Sequence, residues 1–253
     1  MGLKLASGIA LTALFALMYA LVFVIGVWFL PGTWVGLLIM IGLTLLIVLF
    51  QYALGPVIIG WIYKIEWMPF EVYQSQFPHL GEVVNKVCQL RDVKIPRVGV
   101  IHDLNPNAFT YGWTKNTARV VITDGILEHL NKNEQSAVVA HEMGHVVHND
   151  FILMTVVFAI PLVLLTVARW AYYTARFSSF RSRDDEGSYI GLALIAVAIL
   201  SYVAYYIGYL ISLIVSRIRE FYADEHAGEV VENPNYLSTG LIKIAYGLVA
   251  EGG

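Results

Sequence analysis

The sequence predicts a mostly helical α+β integral membrane protein, with four transmembrane helices and one small soluble domain between them. Three observations point there. Of the 253 residues, 58% are hydrophobic and only 14% charged, whereas ordinary soluble domains carry about 25% charged residues. Four stretches are longer than the roughly twenty apolar residues a helix needs to cross a bilayer. Between the second and third lies a mixed segment of ordinary charge density, with both helical and extended hydrophobic patterns.

The first apolar stretch covers about residues 5–30 without a charge, and Pro31-Gly32-Thr33 turns the chain into the second, about 34–62. A cleavable signal peptide fits this poorly, because the apolar run is too long and a second one follows at once. The third stretch, about 151–175, is free of charge up to Arg169, and the fourth, about 189–215, carries none. Lys4 before the first and Lys64 after the second place the N-terminus and the soluble segment in the cytoplasm, by the excess of positive charge in cytoplasmic loops. The expectation is therefore a multi-pass protein of the plasma membrane whose soluble domain faces the cytoplasm. Arg176, Arg181 and Arg183 between the last two stretches, offset by Asp184, Asp185 and Glu186, pull the other way. A helical hairpin that enters the bilayer only in part is the competing arrangement. The expected divisions are 1–62, a transmembrane hairpin; 63–150, the soluble domain; 151–215, a second hairpin; and 216–253, helices that return to the soluble domain.

The net charge of −3 and the lack of a basic stripe argue against nucleic acid as a partner. Cys88 is the single cysteine, so neither a disulfide framework nor a cysteine metal site is available.

Within the soluble segment, Phe77, Leu80, Val83, Val84 and Val87 recur at helical spacing and predict one packed helix over 71–89. Residues 97–101 form a strand candidate; after the Asn105-Pro106-Asn107 turn, 108–113 and 118–123 form two more. Asp124 or Asn131 can cap the helices that follow. The last of these runs from about 133 to 149, and the third apolar stretch starts almost without a linker. Whatever that helix carries is expected at the membrane surface.

It carries His141-Glu142-Met143-Gly144-His145. Positions i and i+4 lie one above the other on a helix, so both imidazoles can reach one metal ion. Glu142 points to one side and can reach a water beside the metal without taking a coordination position. The uncharged flanks Ala137, Val138, Val139, Ala140, Val146 and Val147 suit a buried helix; the plainer alternative is a core helix with satisfied histidines. A catalytic zinc site needs a third protein ligand and an open position. His148 lies about 10 Å along the helix from His141, too far to share the ion comfortably. The metzincin pattern is excluded, since it requires glycine at His148 and histidine at Phe151. The best candidates are Glu220 and Asp224, an i, i+4 pair on the helix that leaves the fourth stretch. One carboxylate can ligate while the other accepts a hydrogen bond from a ligating histidine.

These residues carry a resemblance. The HEMGH helix, the later Arg219-Glu220-Phe221-Tyr222-Ala223-Asp224 segment, the Pro106-Asn107-Ala108-Phe109 turn and strand, and the four flanking spans resemble the M48 peptidases, and within them the HtpX-type membrane proteases. The resemblance covers nearly the whole chain. It implies a gluzincin-type zincin domain with His141, His145 and Glu220 as ligands of one Zn2+, Glu142 as general base and Asp224 in support. It also implies that Asn107, Ala108 and Phe109 lie on a strand edge that holds substrate. Two departures stand out. The family's strand motif continues Ala-Phe-Ala-Thr-Gly, where this chain has Ala108-Phe109-Thr110-Tyr111-Gly112; and the family runs on past Gly253 to a His-Pro segment and a late arginine.

The expected chemistry is zinc-assisted hydrolysis of peptide bonds. Zinc brings the pKa of its water toward about 7, and Glu142 moves the proton to the leaving amine. Extended, unfolded or misfolded membrane proteins are the expected substrates, paired through their backbones to the strand edge, with the lipid bilayer as the other partner. For the second donor to the oxyanion, His148, Arg219, Tyr222 and His226 all remain open. The alternatives are a CAAX-type prenyl-protein protease and a catalytically inactive membrane scaffold with a structural zinc site.

Overall fold

The computed structural model describes residues 33–181 and 185–250; the first expected span, 5–30, falls outside the described residues. In chain order the elements are α1 (Trp34–Ile62), β1 (Glu66–Met68), α2 (Phe70–Gln76), α3 (Pro78–Arg91), β2 (Arg97–Ile101), β3 (Ala108–Tyr111), β4 (Arg119–Thr123), α4 (Asp124–His129), α5 (Lys132–His148), α6 (Asp150–Arg181), α7 (Asp185–Val230) and α8 (Asn235–Ala250).

Among the described residues three helices are long and apolar enough to cross a membrane: Trp34–Ile62, Asp150–Phe177 and Tyr189–Val230. Their most apolar windows are only 22%, 17% and 11% buried within the protein. So much outward-facing apolar surface fits helices solvated by lipid rather than by water.

The chain divides into two compact units, which among the described residues comprise Gly55–Leu153 with 216–250, and 33–54 with Met154–Val215. The second unit is held by a small cluster of Leu37, Met40, Trp170, Ala171 and Ala198 and by hydroxyl bonds. The buried Thr44 and Thr166 hydroxyls lie 3.1 Å apart, and Ser212 Oγ donates to the Val157 carbonyl at 3.0 Å. Hydroxyls of this kind join helices where lipid offers no hydrogen-bond partner.

The first unit is built on a four-stranded sheet of order β1-β2-β4-β3, with β2 and β4 parallel and the outer strands antiparallel. One face packs under the helices: Val98, Val100, Val120 and Ile122 meet Leu80, Val84 and Val87 of α3 and Val139, Ala140 and Met143 of α5. The other face carries Tyr111 and Val121 against Ile65, with Ile59 and Phe109 beside them. The helix expected over 71–89 is in fact two. Proline disfavours helical geometry in the residue before it; Phe77 adopts φ −125°, ψ 70°, and Pro78 starts α3 afresh.

Helix α5 is fixed at both ends. Asn131 accepts hydrogen bonds from the Asn133 and Glu134 amides, and Glu134 returns one from the Asn131 amide, a complete capping box. Asp124, the other expected cap, instead sits in the first turn of α4, whose N-cap is Thr123. At the far end of α5, Asn149 takes the left-handed conformation (φ 57°, ψ 43°) and its amide donates to the His145 and Val146 carbonyls. Asparagine tolerates this geometry better than most residues. The single-residue turn lets α6 begin at Asp150 in a new direction.

Candidate active site

Helical periodicity brings His141 and His145 to one side of α5, their rings 5.0 Å apart and nearly perpendicular. The Nε2 atoms converge on one oxygen of Glu220 from α7, at 3.5 Å from His141 and 3.9 Å from His145. These three residues form the group among the described residues whose ligand atoms, all within 4.8 Å of one another, could hold a metal. His148 does not join it. Four ligands at about 2.1 Å in a tetrahedron stand about 3.4 Å apart, close to the observed spacing.

The donor chemistry also fits zinc. Each imidazole has a carboxylate behind it: His141 Nδ1 lies 2.9 Å from Asp224 Oδ1, and His145 Nδ1 is hydrogen-bonded to Asp150 Oδ2 at 2.7 Å. A carboxylate at Nδ1 favours the tautomer protonated there, which leaves the Nε2 lone pair for a metal. Burial alone would lower the His145 pKa; the Asp150 hydrogen bond and the charges of Glu142, Glu220 and Asp150 outweigh it and raise it. Two imidazoles and one carboxylate are the donor set of a catalytic zinc site with an open position. Glu142, buried on α5 next to His141, is the carboxylate left outside this set. Access is from the α7 side, where the Glu220 side chain is 58% exposed.

Gly144 explains how α7 comes so near. A Cβ built there would lie 3.0 Å from the Ala223 Cα and 3.3 Å from its Cβ, so the two helices touch backbone to side chain at this point. Gly144 thus stands between the two histidines while Ala223 stands between Glu220 and Asp224, a pairing of small residues that the separate motifs did not reveal. Asp150 was equally invisible to helical spacing. It is five residues after His145, and only the left-handed Asn149 turns it back toward the imidazole.

The four candidate oxyanion donors separate. Arg219 pairs with Asp150 and lies 5.5 Å over the Tyr222 ring. His226 is buried and its ring packs 6.2 Å from that of His148, so it is a core residue. Burial, and then the Arg219 charge, holds the His148 pKa below the ordinary histidine range. Tyr222 is the exposed member of the four.

Beside the helix, β3 is an edge strand tied to it: Thr110 Oγ1 donates to the Glu142 carbonyl at 3.2 Å. The Asn107 carbonyl accepts from the Thr123 amide, which makes Asn107 a hydrogen-bonded partner of β4. The alternation of an antiparallel ladder then turns the main-chain groups of Phe109 toward β4 and those of Ala108 and Thr110 toward the free edge.

A model of peptidase family M48 matches residues 74–251, which covers β2, β3 and β4, both histidines and the Glu220 helix. The chain belongs to peptidase family M48. It resembles a Protease HtpX homolog of Methanothermobacter thermautotrophicus, with 35% identity over 243 residues, 96% of this chain and 85% of the relative. A Protease HtpX homolog of Thermococcus kodakarensis is 37% identical over 174 residues, 68% of this chain and 58% of that relative. Among solved structures, S. mikatae Ste24p aligns with a TM-score of 0.58 at 19% identity, over 96% of this chain and 57% of that one. At that identity the likeness is one of fold, and this chain spans little more than half of the Ste24p chain. As an M48 member with three long apolar helices among the described residues, the protein is a membrane metalloprotease.

Proposed function

We propose that this M48 protease is a zinc endopeptidase of the plasma membrane, its site facing the cytoplasm, that cleaves unfolded or misfolded membrane proteins presented as extended chains. The observation that carries the metal reading is the convergence of both Nε2 atoms on Glu220, each imidazole having a carboxylate at Nδ1. His141, His145 and Glu220 hold the ion, and Asp224 and Asp150 orient the rings. Bound there, zinc supplies Lewis acidity that brings the pKa of a water toward about 7 and polarises a carbonyl. Glu142 takes the proton of the attacking water on its carboxylate and delivers it to the departing amide nitrogen.

Asn107, Ala108 and Phe109 lie on the strand that receives substrate. Ala108 and Thr110 offer main-chain groups to an extended peptide, while Asn107 and Phe109 hold β3 to the sheet. Backbone pairing selects for an open chain rather than for side chains, which favours unfolded substrates. The start of α6 at Asp150, directly after the metal helix, favours substrates near the bilayer. A prenyl-protein protease and an inactive scaffold are disfavoured. The relatives are named as HtpX homologs, and the His-His-Glu group is one ligand short of the closed set of a structural zinc site.

The test is cleavage of an unfolded protein by the detergent-purified chain with stoichiometric zinc, beside Glu142→Gln. The variant should keep its zinc and lose about 10²- to 10⁴-fold in kcat. Equal cleavage by the two would rule out Glu142 as the base. A parent chain that binds zinc and cleaves nothing would remove the proteolytic reading of the site.

A further inference from the structure

We infer that Asp150 and Arg219 form a buried positioning clamp that holds His145 in its metal-binding orientation. The inference rests on the metal reading above. Asp150 is 7% exposed and the Arg219 side chain 14%. One carboxylate oxygen, Oδ2, is hydrogen-bonded to His145 Nδ1, and the other, Oδ1, pairs with the Arg219 guanidinium. Both oxygens are therefore engaged, and the ring behind them has one direction to face.

Stability alone does not explain such a pair. Withdrawing two charges from water costs several kcal/mol, and apolar residues of similar volume often serve as well or better. The geometry points to a different use. His141 is served by Asp224, whose side chain is 45% exposed and beside which no cation is found among the described residues. His145 is served by a carboxylate in the protein interior, where a negative charge without a counter-ion is costly. Arg219 supplies that counter-ion. The guanidinium holds the carboxylate in place as the acceptor of the Nδ1 proton, so that the Nε2 lone pair faces the metal.

Arg219 directly precedes Glu220 in α7. One turn of this helix thus delivers the third ligand and locks the second histidine through Asp150. Asp150 in turn opens α6, and both α6 and α7 run on into apolar spans. Asp150 and Arg219 are positioning residues: they act on the reaction through His145.

The experiment measures zinc affinity of the detergent-purified full chain by competition with a chelator, for Asp150→Asn, Arg219→Gln, Arg219→Lys and their combinations. Arg91→Gln, which breaks the exposed pair with Glu229, is the control. Asp150→Asn and Arg219→Gln should each weaken zinc binding by about 10- to 100-fold, the usual effect of losing an outer-shell partner. Arg219→Lys should fall between, since it keeps the charge and loses the fork; the Asp150→Asn/Arg219→Gln pair should lose no more than Asp150→Asn alone. Arg91→Gln should match the parent. Variants that melt earlier than the parent and yet bind zinc equally when folded would reduce the clamp to a structural tie and overturn the inference. Should Asp150→Asn fail to fold, parent-like affinity in both Arg219 variants overturns it alone. A parent that binds zinc without cleaving substrate leaves the clamp standing and removes only the proteolytic reading; a parent that binds no zinc overturns both.

Discussion

Helix α5 is enclosed along most of its length and fixed at both ends, whereas α7 meets the catalytic unit along one narrow stripe. In α5 every residue from Ala137 to Gly144 is buried, and the Asn131 capping box and the left-handed Asn149 close the two ends. In the corresponding part of α7, Ala223, His226, Ala227 and Val230 are buried, while Ile218, Phe221 and Tyr222 stay exposed. The two histidines and the general base therefore sit on a scaffold whose position the core over-determines. The third ligand depends on the close approach of Ala223 to Gly144. A metal site divided this way is half pre-organised, and its sensitive half is the α5–α7 contact.

The sharpest way to break that contact is Gly144→Val. With Ala223 Cα already 3.0 Å from where a Cβ would stand, a branched side chain forces α7 away and Glu220 with it. A shift of about 1 Å at a reacting group can cost about 10²-fold. We therefore expect kcat and zinc affinity to fall together by that order while far-UV circular dichroism stays unchanged. If zinc affinity and kcat both hold, α7 is not positioned through Gly144 and the comparison fails at its main point.

The same asymmetry decides what could be read from the sequence. His141, His145 and Glu142 share one helix, and Glu220 with Asp224 share another, so helical spacing alone exposed both halves. The need for a third ligand joined the halves, and the resemblance implied which carboxylate ligates and which supports. What escaped were features created between elements. Asp150 becomes the orienter of His145 only because Asn149 reverses the chain, and Gly144 matters only because Ala223 lies against it. The single helix expected over 71–89 failed for a local reason: its apolar spacing continues across Phe77–Pro78, but the backbone there does not. The strands at 97–101, 108–113 and 118–123 were legible by composition. The parallel pairing of β2 with β4, which leaves β3 at the edge beside α5, is a property of the assembled sheet.

A milder perturbation asks whether the rigidity of α5 extends to the substrate edge. Thr110 is tied to the Glu142 carbonyl, and the ladder turns its amide outward. Thr110→Pro removes that amide at an edge position, where proline is tolerated. The loss of one main-chain hydrogen bond, worth about 1 kcal/mol, should lower kcat/KM for unfolded substrate about fivefold. Thr110→Val removes only the hydroxyl tie and serves as its partner. If the proline variant cleaves like the valine variant, substrate does not pair with this edge.

The smallest effect expected concerns the start of α5, where the over-determined helix is also tied to α8. Burial by itself would raise the Glu134 pKa, but the Lys243 ammonium, the Asn131 amide and the Thr239 hydroxyl together bring it below the ordinary value of 4.5. Because the folded pKa lies below the unfolded one, the unfolded chain takes up its proton first as the solution is acidified. The contribution to stability is thus complete above about pH 4.5 and is lost as pH falls through the folded value. Lys243 is 46% exposed, so solvent screening keeps the tie below about 1 kcal/mol. Lys243→Gln should flatten part of the acid-side loss of melting temperature and leave zinc affinity at neutral pH untouched. Were zinc affinity to fall as well, α8 would be helping to place the metal helix, and the independence of α5 from its surroundings would be narrower than its caps and burial imply.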